Sequence, residues 1–454
     1  MRFSKEVKIY TGYGFASLGE TALFNLMTAY CLYFLTDVAG VSPAMGGMSI
    51  MIATTCNSIF IVLIGHISDS IAWKNGRRLP YMNAALPFIC ISTLLVFNIV
   101  DLGTTSTFVY YTAMLLIFWA SHSLFVLPYE ALGAEIIQGA NDRMLLRSHS
   151  RFYQSVGNLF GMVIIMPLLK LFGDLGFSDR ISWLLMAICV LIPSVISFVI
   201  TNRTMAPIVK ANSPPVPGKI SLRILAKDYA EAIRIREFRL LLSVSLIFAI
   251  ANAFVNSILV YFMKYNLGLP ESLKSVMFLV MALSGILFTP IIAVLARRFD
   301  KKGAMTGCFI LAGVSVIVLG CIGIRSILML TIFIIVFTIG SSGYWQLMFA
   351  LVYDIGELNQ VKTGKRREGV ILSMSKIAYR FAAAVAVLIL GLLMTSFGYD
   401  PSLPVQPERT GSGFNLILSI IPGILLLVCA SLTYVYPISE KVHAHILEQL
   451  DQEE

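Results

Sequence analysis

Gly65-His66-Ile67-Ser68-Asp69, followed by Gly76-Arg77-Arg78-Leu79-Pro80-Tyr81, lies between two long apolar runs and decides the fold. Glycine lets two helices approach closely, Asp69 can accept hydrogen bonds from a helix N-terminus, and the arginines cannot cross lipid. A short polar hinge between two membrane helices is built this way. Working outward, apolar stretches of about 20 residues recur along the whole chain, each long enough to cross a bilayer as a helix. Of the 454 residues, 57% are hydrophobic and only 13% charged, and the mean hydropathy is +0.82. A soluble domain carries about 25% charged residues, so one globular core is excluded. The expectation is an all-α membrane protein.

Apolar runs between charge clusters give twelve spans, at roughly 10–36, 45–68, 79–100, 107–133, 151–173, 181–202, 239–263, 273–296, 304–323, 327–354, 369–397 and 412–437. A long polar break, 203–238, contains Pro207, Pro214, Pro215 and Pro217 and separates two sets of six. The expected domains are a six-helix bundle 1–202, a cytoplasmic linker 203–238, a second bundle 239–438 and a cytoplasmic tail 439–454. With both termini inside, the termini and even-numbered loops hold 26 of the 34 lysines and arginines, while the odd-numbered loops hold six. That bias predicts an inside–inside orientation and accounts for the net charge of +9 without nucleic acid. Arg297-Arg298-Phe299-Asp300-Lys301-Lys302 follows the eighth span as the Gly65–Arg78 segment follows the second, which suggests internal duplication and a mid-membrane site between halves. No secretory leader is expected: the apolar segment beyond Lys8 is too long and lacks a small-residue cleavage site. Seven scattered cysteines have neither disulfide nor metal spacing, and no Walker loop, nucleophile–base pair or His/Cys cluster occurs. Neither an enzyme nor a cofactor or metal is expected.

Several segments together resemble one family. They are Tyr33-Phe34-Leu35-Thr36-Asp37-Val38-Ala39-Gly40, the Gly65–Pro80 hinge, Leu127-Pro128-Tyr129-Glu130-Ala131-Leu132 and the stretch from Arg143 to Arg151. Further on come Asp354-Ile355-Gly356-Glu357-Leu358 with Thr363-Gly364-Lys365-Arg366-Arg367-Glu368-Gly369, then Gln406-Pro407-Glu408 and Tyr436-Pro437-Ile438-Ser439. In their order and spacing the chain resembles the melibiose permease-like glycoside–pentoside–hexuronide:cation symporters of the major facilitator superfamily. The resemblance implies the major facilitator fold of two six-helix halves and an alternating-access carrier for a sugar, glycoside or sugar acid. Where the family holds its cation on two acids of the second span, this chain has Asn57 and Ile61. The sugar-binding acid of the first span falls on Thr21, and an assisting acid of the fourth span on Val126. Asn57, Thr54, Thr55 and Ser58 supply only neutral oxygens, so coupling to protons, or none, is expected rather than coupling to sodium. Arg151 matches a sugar-contacting basic position, and Arg380 falls where the family has lysine. The implied location is a bacterial inner membrane, with a small solute and a coupling proton as partners and the monomer as the working unit. A carrier of another organic anion or amphiphile is the alternative, and a non-translocating sensor a remoter one.

Ionisable groups within spans are costly and point to function. Glu20, with Thr21 and Asn25 nearby, is a proton-carrier candidate whose structural alternative is an ion pair, for example with Arg380. His122 can change charge near neutral pH or can be a satisfied packing residue. Glu130 follows Pro128, where a helix break is expected. Arg380 lies four residues beyond Lys376 and could clamp a carboxylate, phosphate or sulfate with two parallel bonds. Asn252 and Asn256 could line a cavity or join helices. Tyr344, Trp345 and Gln346 combine flat apolar faces with polar tips, as a sugar ring requires, although packing is the commoner use. Asp69, Arg77, Arg78, Arg143, Asp354, Glu357 and Arg366 fall at cytoplasmic helix ends and form a candidate gate of ion pairs, or serve only as topology markers.

Overall fold

The computed structural model describes residues 2–70, 78–136, 140–211, 229–363, 368–403, 405–440 and 442–443. Helices dominate: α1 (Arg2–Gly14), α2 (Ala16–Tyr33), α3 (Pro43–Ser70), α4 (Leu79–Val96), α5 (Thr104–Ile136), α6 (Ala140–Asn158), α7 (Ile165–Asp174) and α8 (Asp179–Ala211). After these come α9 (Arg236–Tyr261), α10 (Glu271–Phe299), α11 (Lys301–Ile322), α12 (Ile327–Thr363), α13 (Glu368–Ser396), α14 (Glu408–Asn415) and α15 (Ile421–Val435). Among the described residues ten helices are long and apolar enough to cross a membrane, or eleven if α6 and α7 form one bent span. The remaining expected span is α2, where Glu20, Thr21 and Asn25 lower the hydropathy of an otherwise apolar helix. Large apolar residues such as Leu287, Val294 and Ile286 are exposed in the manner of a lipid-facing surface.

Two compact units emerge. One comprises Met1–Ile220, Leu269–Leu279 and Pro401–Pro404, the other Ser221–Gly268, Val280–Asp400 and Val405–Glu454.

The backbone repeats itself between the two halves of the sequence. Tyr33-Phe34 leads into a π-helical turn, Phe34–Val38, and Gly40 follows at φ 70°; Tyr261-Phe262 leads into the π-helical turn Phe262–Asn266, and Gly268 follows at φ 57°. Only glycine takes that left-handed conformation without steric cost, so it terminates both helices. Gly176 and Gly398 correspond in turns two residues past the helices that end at Asp174 and Ser396, whereas Gly103 opens α5 and Gly323 closes α11. The duplication foreseen in the polar loops is written more plainly in these helix ends.

Three local expectations are corrected. Pro128 does not break its helix: α5 runs continuously from Thr104 to Ile136. The fifth span is instead the bent one, by 41°, at the π-helical turn Leu159–Val163. Pro167 just beyond has no N–H to continue the ladder. Residues 203–211, assigned to the linker, continue α8 through Pro207. The hinge residues 71–77 lie outside the described residues.

Within the first unit, polar contacts tie helix to helix. Ser123 Oγ donates to Asn57 Oδ1 at 2.7 Å and Thr112 Oγ1 to Ser49 Oγ at 2.9 Å, both between α5 and α3. Asn202 Nδ2 donates to Asn83 Oδ1 at 2.7 Å between α8 and α4. In the second unit, Asn415 Nδ2 donates to the Gly320 carbonyl at 2.9 Å. Such bonds pair groups that hydrocarbon cannot satisfy.

Candidate functional site

Helices α2 and α6 assemble the polar centre of the first unit. They approach so closely that a Cβ on Gly157 would stand 2.4 Å from the Leu18 carbonyl oxygen, and one on Gly161 2.4 Å from that of Ala22. That contact brings Asn25 Nδ2 to Asn158 Oδ1 at 2.5 Å. One turn earlier on α2, Thr21 donates to Glu20 Oε2 at 3.0 Å. On α6, Arg151 donates to Gln154 Oε1 at 3.3 Å and lies within electrostatic reach of Glu20. Within this unit, Arg151 is an arginine whose charge reaches Glu20. A carboxylate, a guanidinium, three amides and a hydroxyl gather on one seam.

The other candidates of this unit sit differently. His122 is 1% exposed, and its ring lies among Phe118 at 5.7 Å, Trp119 at 5.7 Å and Phe24 at 6.5 Å. That aromatic enclosure is packing as much as chemistry. Asn57 is 2% exposed and bonded to Ser123, while Thr54 donates back to the Ile50 carbonyl at 2.6 Å and Ser58 to the Thr54 carbonyl at 3.2 Å. Thr55 Oγ1 is buried without a hydrogen-bond partner among the described residues. Glu130 is exposed at the end of a Tyr13–Tyr129 clamp, in which each phenol donates to the other residue's carbonyl at 3.0 Å.

The second unit has its own polar and aromatic group. Asn252 Nδ2 on α9 donates to the Tyr379 hydroxyl on α13 at 3.0 Å, and Asn256 Nδ2 donates to the Asn252 carbonyl at 2.8 Å. The indole of Trp345 meets Tyr379 edge-on, centroids 5.1 Å apart, and remains 40% exposed. Its neighbour Tyr344 is buried and stacks on Phe248 at 4.0 Å, so it packs the core. Gln346 Oε1 is buried with no hydrogen-bond partner among the described residues. Arg380 follows Tyr379 directly, is half-buried, and makes no ion pair among the described residues. An indole face, an amide–phenol pair and an unpaired guanidinium can together hold a ring bearing an acidic group.

At the far end of α12, Lys301 Nζ contacts both oxygens of Asp354, at 2.7 and 2.8 Å. Glu357 Oε2 lies 2.5 Å from His443 Nε2. Arg78 is buried at the N-cap of α4. Asp69 stands in the last turn of α3 and Arg143 in the first of α6, but their side chains lie outside the described residues, as do Arg77 and Arg366 altogether. Asn158, Tyr379 and His443 are partners that the sequence reading does not foresee. The Gly157-x-x-x-Gly161 spacing is a close-packing signal that could have pointed to Asn158.

The chain matches the family described as MFS/sugar transport protein over residues 12–440. It is 28% identical to a symporter of Bacillus subtilis, with 97% of this chain and 94% of the relative covered. It is 26% identical to a protein of Escherichia coli named as a sulfoquinovose importer, covering 97% and 92%. An isoprimeverose transporter of Lactiplantibacillus pentosus is 23% identical, covering 94% and 88%. Among solved structures, a bacterial homologue of human drug peptide transporters superposes with a TM-score of 0.65 at 13% identity, covering 99% of this chain and 100% of the other.

Proposed function

Because the chain belongs to the MFS/sugar transport protein family and is a secondary transporter of the major facilitator fold, we propose that it carries a sugar, glycoside or sugar acid, with an acidic sugar the best fit. The observation that carries this reading is the second unit's group of Trp345, Asn252–Tyr379 and Arg380. Aromatic planes cover the apolar face of a sugar ring, amide and phenol groups bond its hydroxyls, and a guanidinium that has no ion pair among the described residues can hold an anion. In the first unit, Arg151 with Gln154 and the Asn25–Asn158 pair with Thr21 offer matching contacts. Relatives bear the names of an isoprimeverose transporter and a sulfoquinovose importer, which supports a sugar as the solute.

Coupling to a proton, or to no ion, fits the chain better than coupling to sodium. A sodium ion needs a cage of several oxygens with compensating charge, and Asn57, Thr54, Thr55 and Ser58 offer only neutral ones. Glu20 is the carboxyl best placed to carry the proton, opposed by Arg151. The basic-residue bias supports cytoplasmic termini in a bacterial inner membrane, and one chain supplies every group named, consistent with a working monomer. Uptake into proteoliposomes tests the reading. Accumulation of a uronate or sulfonated sugar under a pH gradient, unaffected by sodium at fixed potential, is the expected outcome. Sodium-driven uptake, or transport of none of the sugars, refutes it.

A further inference from the structure

The bend in the fifth span opens a groove on the first unit. At the π-helical turn Leu159–Val163 the chain turns by 41°, and α7 continues through Pro167, which has no N–H to give. Between α7 and the first turns of α10 lies a groove of about 520 Å³. Its lining residues fall within 163–174 and 272–279, all of them in the first unit. Asp174 ends α7 and Ser272 lies in the first turn of α10, so these helix ends make a polar mouth. The walls further along both helices are apolar: Val163, Pro167 and Leu171 on one side, Val276 and Leu279 on the other. Leu171 and Val276 are 52% and 43% exposed, so the walls stand open to an apolar occupant.

Two charges at the mouth lack a partner. Lys170 and Asp174 are one turn apart on α7, both exposed, and neither makes an ion pair among the described residues. A base placed four residues before an acid is the weaker order for pairing along a helix. Asp174 also stands at the C-terminus of α7, where the helix dipole puts partial negative charge, so its carboxylate gains from a cation brought from outside. The cation on the first turns of α10 is committed: Lys274 is 2% exposed and donates to Glu271 Oε1 at 2.7 Å.

We propose that this groove binds one bilayer phospholipid with a primary ammonium headgroup, a phosphatidylethanolamine. An acyl chain lies along Leu171, Val276 and Leu279, the phosphate meets Lys170, and the ammonium beyond it meets Asp174. The order along α7 is that of the lipid itself: apolar wall, then base, then acid at the helix end. Four residues advance about 6 Å along a helix, within reach of the two-carbon bridge that separates phosphate from ammonium. A choline headgroup carries the same charges but has no N–H to donate to the carboxylate. A glycerol headgroup lacks the cation altogether. A lipid held in this way ties α7 to the start of α10, and its recognition does not depend on the transported solute or its coupling.

Native mass spectrometry tests this on the full-length protein, purified in detergent, stripped of lipid and mixed with phosphatidylethanolamine, phosphatidylcholine or phosphatidylglycerol of matched chains. Wild type is expected to bind the first about tenfold more tightly than either other lipid, the effect of one charge-assisted contact. Asp174→Asn should bind phosphatidylethanolamine no better than phosphatidylcholine, and Lys170→Gln should weaken all three. Both positions are exposed, so neither change threatens the fold. Asp179→Asn, which alters an exposed carboxylate at the start of α8 outside the groove, should keep the wild-type preference. Equal binding of the three lipids by wild type would reduce the groove to ordinary annular contact and overturn the proposal. So would a preference for phosphatidylglycerol, which needs Lys170 alone. A preference for phosphatidylethanolamine that survives in Asp174→Asn, or that disappears in Asp179→Asn, overturns it too.

Discussion

Asn252 donates its amide to the Tyr379 hydroxyl across 3.0 Å, and Arg380 is the next residue on the helix. The bond fixes the phenol against the Trp345 indole and thereby the turn of α13 from which the guanidinium projects. Tyr379→Phe removes the acceptor and leaves the Asn252 amide to find another. A loss of about 1 kcal/mol of stability is expected, with sugar affinity falling while solute charge preference is kept. Thermal unfolding and ligand titration of the same variant separate the two effects.

Arg380 itself should read solute charge. Arg380→Lys keeps the positive charge but loses the planar fork. Losing one charge-assisted contact costs about 1.5–3 kcal/mol, roughly tenfold to a hundredfold in affinity. A uronate should show that loss and its neutral parent sugar little of it. Equal losses for both ligands would favour a neutral glycoside as the solute.

Glu20 is opposed by Arg151 and bonded by Thr21, an environment in which one proton can be held and passed on. Glu20→Gln should abolish accumulation against a gradient while counterflow exchange continues, because exchange need not release the proton. Loss of expression and exchange together would mark the residue as a structural partner of Arg151 instead.

The α2–α6 seam tolerates no side chain at two positions. Gly161→Ala would bring a Cβ to 2.4 Å from the Ala22 carbonyl oxygen, and Gly157→Ala would do the same at Leu18. Each should cost about 1–3 kcal/mol through forced backbone shift, seen as a lower unfolding temperature. The Asn25–Asn158 bond should weaken with it, so solute affinity falls as well. Gly173→Ala, where a Cβ meets nothing within 4 Å, is the matched control.

The contrast between these residues shows what the sequence made legible. Long apolar runs give the spans because only a helix satisfies its own backbone in lipid, and α10 and α11 appear close to where hydropathy puts them. Proline is an uneven guide: Pro128 predicts a break where the helix continues, while Pro167 lies just beyond the π-helical turn that bends the fifth span. Backbone register is set by neighbouring helices, not by the local residue. Arg380 and Glu20 stand out as charges in apolar surroundings, but their partners are absent from any local pattern. Asn158 is 133 residues from Asn25 and His443 is 86 from Glu357, so only the folded chain reveals them.

Asn57 discriminates between a vestigial ion site and a packing bond. It is 2% exposed, its carbonyl oxygen accepts from Ser123, and the neighbouring Thr54 and Ser58 bond to their own helix. Asn57→Ala should therefore orphan a buried hydroxyl between α3 and α5 and lower stability by about 0.5–2 kcal/mol, with the coupling ion unchanged. Thermal unfolding in sodium and in choline buffers, together with uptake under a pH gradient, measures both consequences. If Asn57 held a cation, wild type would melt at a higher temperature in sodium and the variant would lose that difference. The expectation is that both proteins melt alike in the two salts, the variant at the lower temperature, because no carboxylate stands among Asn57, Thr54, Thr55 and Ser58 to balance a cation's charge.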